Sequence, residues 1–217
     1  MKPLIRQIPA WVTETNAWVV ADEPGGKAFV VDAPPEPGPI GEYIAELDVA
    51  VVGILLTHGH IDHTGGAGRL AALTGATTYV HPDDDFLTLH PTEQLERIFG
   101  MIPPGEYELP DRFAELDHGQ ALSLAGIDLE VRLTPGHTPG HCCFYWHDEG
   151  ILFSGDQLFA GSIGRTDLPG GSYEDLMSSM KSQVMTLDDE VRVLPGHGPD
   201  TSIGRERQFN PFLQNLV

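Results

Sequence analysis

The chain has 217 residues, 41% hydrophobic and 20% charged, proportions that suit a globular protein with a sizeable core rather than a disordered one. Twelve Lys and Arg stand against 32 Asp and Glu, and the formal charge of −20 argues against nucleic acid and anionic membranes as partners. No apolar run approaches a bilayer span and the opening MKPLIRQIPAW has no signal-peptide core, so a soluble, cytoplasmic protein is expected.

In chain order, 17–22 and 27–33 flank Glu-Pro-Gly-Gly and predict a β-hairpin. The Pro-rich 34–39 predicts a rigid loop, and 40–48 has helical spacing. The continuous apolar run 51–57 predicts a strand buried on both faces. A short helix over 66–75 ends at Gly75, followed by a strand over 77–81 and a mainly helical stretch over 83–99, interrupted near Pro91. Beyond the loop 103–112, residues 127–134 alternate as a half-buried strand. Segments 141–146 and 150–156 predict a second hairpin across His-Asp-Glu-Gly. Residues 172–187 predict a helix with Ser172 as N-cap and Asp175 three positions on, and 191–195 is the last strand. Strands followed by helices in both halves predict two packed β-sheets with helices outside, in one α/β domain over 1–217. Adjacent Cys142 and Cys143 would face opposite sides of a strand, so they form no disulfide framework, as fits a reducing compartment.

One stretch concentrates metal-binding side chains. In LLTHGHIDHTGG, 55–66, residues His58, His60, Asp62 and His63 follow directly on a buried strand. His58 and His60, two apart, share one side of an extended segment, while Asp62 and His63 point elsewhere, so one loop can serve two ions. Further candidates stand where other strands end: His137 and His141 in LTPGHTPGH, Asp156 in LFSGD, His197 in LPGHGP. Imidazole and carboxylate groups gathered at strand ends need a shared partner, and a divalent cation is the partner they suit.

With these residues the chain resembles the metallo-β-lactamase fold hydrolases over nearly its whole length. The resemblance implies a four-layer αββα sandwich, two mixed sheets flanked by helices, with a binuclear site at one edge. It implies that His58, His60 and His137 hold one metal, that Asp62, His63 and His197 hold the other, and that Asp156 bridges them. His141 is then a neighbour of the ligands rather than a ligand. Two divalent ions, zinc in the first place with iron or manganese acceptable to the same donors, would carry a bridging hydroxide that attacks a carbonyl, with Asp62 a candidate for proton transfer.

Residues 153–171 (FSGDQLFAGSIGRTDLPGG), 194–199 and 210–213 are similar to short bacterial glyoxalase II-like proteins. That similarity implies hydrolysis of S-D-lactoylglutathione, or a related small-molecule thioester, to D-lactate and free thiol. Longer glyoxalase II enzymes carry a further C-terminal helical region that holds glutathione; here only 198–217 follow His197, so no separate substrate-binding domain is expected. Arg165 in the Gly-rich loop is a candidate for a substrate carboxylate, with a salt bridge to Asp167 as the alternative. Tyr173 is a second candidate contact, with packing as its alternative. Asp32, at the end of 27–33, is read either as a hydrogen-bond partner of a ligand histidine or as a turn cap. The rival reading on the same fold is a mononuclear-iron persulfide dioxygenase using His58, His137 and Asp156; a lactonase or β-lactamase is a third, and a non-enzymatic metal-binding domain a fourth. The oligomeric state is not legible in the sequence.

Overall fold

The structure, a computed structural model, describes residues 3–111, 113–214 and 216. Alternation along strands sets its layers. β1 (Leu4–Ala10), β2 (Thr15–Ala21) and β3 (Lys27–Val31) form an antiparallel meander. From β3 the chain crosses through α1 (Gly38–Leu47) to β4 (Ala50–Leu55), parallel to β3. It then passes α2 (Ile61–Thr64) and α3 (Ala67–Thr74) to reach β5 (Thr77–Val80), parallel to β4. A 3₁₀ turn, α4 (Asp85–Thr88) and α5 (Pro91–Phe99) precede β6 (Ala114–Glu115), which closes a six-stranded sheet in the order β1-β2-β3-β4-β5-β6.

The second half repeats the plan. β7 (Ala121–Leu124), β8 (Ile127–Leu133), β9 (Cys142–Trp146) and β10 (Ile151–Gly155) are successive antiparallel neighbours. A small hairpin of β11 (Leu158–Phe159) and β12 (Ser162–Ile163) leads to α6 (Tyr173–Ser179). β13 (Arg192–Pro195) returns parallel to β10, β14 (Thr201–Ser202) pairs with it, and α7 (Ile203–Phe209) follows. The second sheet runs β14-β13-β10-β9-β8-β7.

β2 shows why the sheets stack. Trp18 and Val20 join Phe29, Val31 and Leu55 in a core shared with Phe144, Phe153 and Leu194 of the other sheet. The alternate residues Ala17, Val19 and Ala21 face Ile40 and Ile44 of α1 and Leu70 of α3. In the second sheet Cys143, Leu152 and Val193 turn outward to Leu176 of α6 and Ile203 of α7. The result is the expected four layers, helices–sheet–sheet–helices. Cys142 and Cys143 do point to opposite faces, both buried and unbridged. Burial pushes the Cys143 thiol up to about 12, so it is an inert core residue.

Several sequence expectations change. The strand expected over 51–57 ends at Leu55 as β4, so Thr57 and His58 fall in the segment that follows it. The expected helix 83–99 is two helices, broken ahead of Pro91 as its ring predicts, and the helix starting at 66 has a separate short turn, α2, in front of it. The helix expected over 172–187 is α-helical only to Ser179 and continues as a wider π-turn over Met180–Val184; Ser172 does cap it, accepting from the Asp175 amide. Strands β1 and β7 and helix α7 were not expected. β1 is an edge strand and therefore tolerates Pro9. Within the expected loop 103–112, Arg112 lies outside the described residues. No helix among the described residues is long and apolar enough to cross a membrane.

Candidate metal centre

Each candidate ligand follows the end of a strand or opens the helix just behind one. His58 comes three residues after β4, His60 and His63 frame α2, His137 follows β8, Asp156 follows β10 and His197 follows β13. The structure brings these ends together. His58 Nε2 lies 3.0 Å from His60 Nδ1, which lies 2.9 Å from His137 Nε2. Beside them, His63 Nε2 is 3.3 Å from His197 Nε2, and Asp62 Oδ2 is 3.7 and 3.4 Å from these two nitrogens. Asp156 faces both groups: one oxygen is 3.4 Å from His63, the other 3.5 Å from His137 and 3.6 Å from His197.

The outer nitrogens show what the inner ones present. His137 Nδ1 is 2.7 Å from the Arg165 carbonyl, which only accepts, so the proton sits on Nδ1 and Nε2 carries a lone pair. Thr57 Oγ1 gives its single hydrogen to Asp32 and therefore accepts from His58 Nδ1, which again leaves Nε2 bare. Burial, and then His137 alongside, lowers the pKa of His60 to about 3. Burial, with the neighbouring histidines, likewise holds His58 well below its ordinary value. Three lone pairs therefore converge where no proton is welcome. An ion with bonds of 2.0–2.1 Å in tetrahedral geometry sets its ligand atoms about 3.3 Å apart, close to the spacings in both groups.

The second group is more acidic. Burial disfavours a charge on His63, yet Asp156, Asp32 and Asp62 together outweigh it and raise its pKa well above the ordinary value. Burial would push Asp62 and Asp156 up, but His63 above all holds both below the usual carboxylate range. A proton on His63 Nε2 and a divalent cation thus compete for one place. Asp156 Oδ1 is buried with no hydrogen-bond partner among the described residues. A buried, unpartnered carboxylate oxygen beside inward lone pairs fits a cation, and the nitrogen–oxygen donor set fits zinc, iron or manganese.

A surrounding frame fixes the donors. Asp32 accepts from the Thr57 amide, the Thr57 hydroxyl and His63 Nδ1, the last at 2.8 Å, so it partners a ligand candidate rather than capping a turn. His141 is not in either group: Nε2 accepts from the Asp156 amide at 3.0 Å and Nδ1 donates to Thr134, so it braces Asp156 through the backbone. Four residues in this frame give no signal in the sequence. Asp84 accepts from the amides of Gly59 and Gly140 and the hydroxyl of Thr138, joining the His58–His63 loop to the His137 loop. Gln94 of α5 bonds the backbone of Gly59 and Ile61, on either side of His60. Thr15 donates to Asp62 at 3.1 Å, and Asn16 holds the carbonyls of Pro195 and Gly198, the residues around His197.

A cleft of about 440 Å³ opens above the two groups, lined by His60, Asp62, His137, Asp156 and His197 with Phe99, Phe159, Ile163 and Leu168. Arg165 is also in its wall, but its guanidinium makes a bidentate pair with Asp167 at 2.7 and 2.7 Å. Tyr173 begins α6, exposed and apart from the residues that line the cleft.

Known proteins are similar to this chain in sequence and fold. The family model described as the metallo-beta-lactamase superfamily matches residues 10–197. A hydroxyacylglutathione hydrolase, GloC, of Haemophilus influenzae is 40% identical, with 94% of this chain and 91% of that protein covered. The solved structure of the B3 metallo-beta-lactamase BLEG-1 superposes with a TM-score of 0.88 at 32% identity, covering 97% of this chain and 99% of that one. That of TTHA1623 in a di-iron-bound form gives 0.84 at 33% identity, covering 96% and 100%.

Proposed function

Because this chain belongs to the metallo-β-lactamase superfamily, we propose that it is a binuclear thioester hydrolase of glyoxalase II type, which cleaves S-D-lactoylglutathione or a related small-molecule thioester to D-lactate and free thiol. The observation that carries this is Asp156 reaching both donor groups under an open cleft. His58, His60 and His137 would hold one ion, Asp62, His63 and His197 the other, with Asp156 between them. Two such ions, zinc in our reading, would supply an acidified water and a Lewis acid for the carbonyl oxygen.

The chain's own residues do the rest. Phe159, Ile163 and Leu168 shield the acyl group from solvent. Asp62, held by the Thr15 hydroxyl, takes part in moving the proton from water. The reaction breaks C–S and forms C–O, and the thiolate leaves and gains a proton. A thiolate is a good leaving group, so no protein nucleophile is needed. The reduced, buried cysteines suit a cytoplasmic enzyme.

The similarity to GloC, at 40% against 32% for BLEG-1, supports thioester over β-lactam. A single-iron persulfide dioxygenase would use His58, His137 and Asp156 and leave the buried Asp32–His63 bond and the Asp62–His63–His197 group without a task. The test is metal analysis of the purified protein alongside turnover of S-D-lactoylglutathione, nitrocefin and glutathione persulfide. Two metals per chain with thioester turnover is expected; one iron with oxygen uptake on the persulfide would overturn the reading.

A further inference from the structure

His60, Ile98 and Leu168 belong to two cavities. One is the cleft over the donor groups; the other is a side pocket of about 140 Å³ against α5. That volume is small against the roughly 300–1,000 Å³ of sites that hold whole ligands, so it suits one end of a substrate whose reacting centre lies in the cleft. Phe86, Leu87, Ile98 and Leu168 give it apolar lining beside His60, His90 and Gln94. Its rim carries Glu93 and Arg97, both exposed.

These two charges are four residues apart on one helix, the spacing at which Glu and Arg ordinarily pair. Here they do not. Among the described residues Arg97 enters no ion pair or side-chain hydrogen bond, and Glu93 reaches only His90, at 3.8 Å. The contrast with Arg165 is direct: that guanidinium, also at the cleft, is already taken by Asp167. In a chain with 12 basic residues against 32 acidic ones, an uncommitted Arg beside the cleft is a specific feature. The side pocket's wall is also braced by hydrogen bonds. Gln94, next to Glu93, is bonded to Gly59, Ile61 and Leu87. His60 in that wall carries a buried ring nitrogen, Nε2, with no partner among the described residues.

We infer that this pocket binds a zwitterionic amino-acid group at the far end of the thioester's thiol arm, its carboxylate on Arg97 and its ammonium on Glu93, with the apolar lining against the methylenes between. The inference rests on the thioesterase reading above for the nature of the arm. A lone carboxylate would be repelled by Glu93 and a lone amine by Arg97; a group carrying both charges meets a partner for each.

The test measures binding of S-methylglutathione to the metal-loaded protein by isothermal titration calorimetry, in the wild type and in Arg97→Gln and Glu93→Gln. Both sites are exposed, so the variants should fold. Each is expected to weaken binding roughly twofold to fivefold, the scale of a partly solvated charge contact. Turnover of S-D-lactoylglutathione should show the same loss, mainly in KM. Turnover of S-D-lactoyl-N-acetylcysteamine, which lacks both charges, should be unchanged. If the wild type hydrolyses neither thioester while the variants still lose S-methylglutathione binding, the thioesterase reading fails and the pocket stands. No wild-type binding, or binding unchanged in both variants, overturns the pocket. Tighter binding in Glu93→Gln overturns the zwitterion and leaves only an anion site.

Discussion

Asp32 and His63 lie 2.8 Å apart, both fully buried, and Asp32 makes this bond from a left-handed backbone conformation with φ of 62°. A non-glycine residue rarely holds that conformation, and the three hydrogen bonds on its carboxylate are what maintain it. One carboxylate orients donors in both groups: His63 directly, and His58 through the Thr57 hydroxyl.

Asp32→Ala is therefore expected to loosen both ions together. Partners of metal-bound histidines are worth about 10–100-fold in metal affinity when removed. Chelator competition on the purified variant should show a loss of this size for two equivalents. A loss confined to one equivalent would mean that the Thr57 relay to His58 does not matter.

Asp156→Ala removes the one carboxylate among the described residues that faces both groups. The variant is expected to hold fewer than two metals per chain and to lose at least about 100-fold in thioester turnover, while its far-ultraviolet dichroism stays that of the wild type. Unchanged turnover would refute the binuclear mechanism.

Gly196 is packed against the same carboxylate. A methyl group there would overlap Asp156 Oδ1 and come within 2.6 Å of His63 Cε1. Gly196→Ala must move both side chains or the loop that carries residue 196, an overpacking cost of about 1–3 kcal/mol. The expected outcome is at least tenfold weaker metal binding, measured by the same chelator competition, with the fold retained. Full affinity would show that the loop can retreat.

Four of the seven candidate ligands crowd into His58–His63 and the other three stand where strands end, a pattern that the resemblance to the metallo-β-lactamase fold picks out from the sequence. The residues that hold them in place follow no such pattern. Asp84 sits in a run of three aspartates that reads as a helix start, and Gln94 looks like any polar position of an amphipathic helix. Apart from the Thr138 hydroxyl, their partners are backbone groups up to 56 residues away, and a backbone group leaves no mark on the sequence. The same limit applies to the fold. The continuous apolar runs of β4 and β10 announced themselves, whereas β1, with Arg6, Gln7 and Pro9, is a strand only because β2 is there to pair with it.

Gln94→Ala tests that hidden frame. It would strip partners from the Ile61 amide and from the carbonyls of Gly59 and Leu87, all in buried surroundings. An unsatisfied buried group costs about 1–3 kcal/mol, so urea unfolding of the apoprotein should show a loss of this order. Because Gly59 and Ile61 flank His60, metal affinity should also fall. Loss of stability with unchanged metal affinity would confine Gln94 to packing.

Acid should destabilise the metal-free protein well above the pH at which carboxylates titrate. His60, at about 3 in the fold and about 6.5 in the unfolded chain, takes up its proton more readily when unfolded. For such a group stability is complete above pH 6.5, falls as pH drops towards 3, and is flat below. Between pH 6.5 and 5 the loss is about 2 kcal/mol from His60 alone. His58 and His141, also lowered chiefly by burial, act in the same direction. His63 and His197, raised by their carboxylates, act against it, since their contribution is present in acid and lost as pH rises. Three against two favours net destabilisation. Thermal melts of chelator-treated protein should therefore give a lower Tm at pH 5 than at pH 7.5. An equal or higher Tm at pH 5 would mean that the proton shared by His63 and its three carboxylates dominates the site.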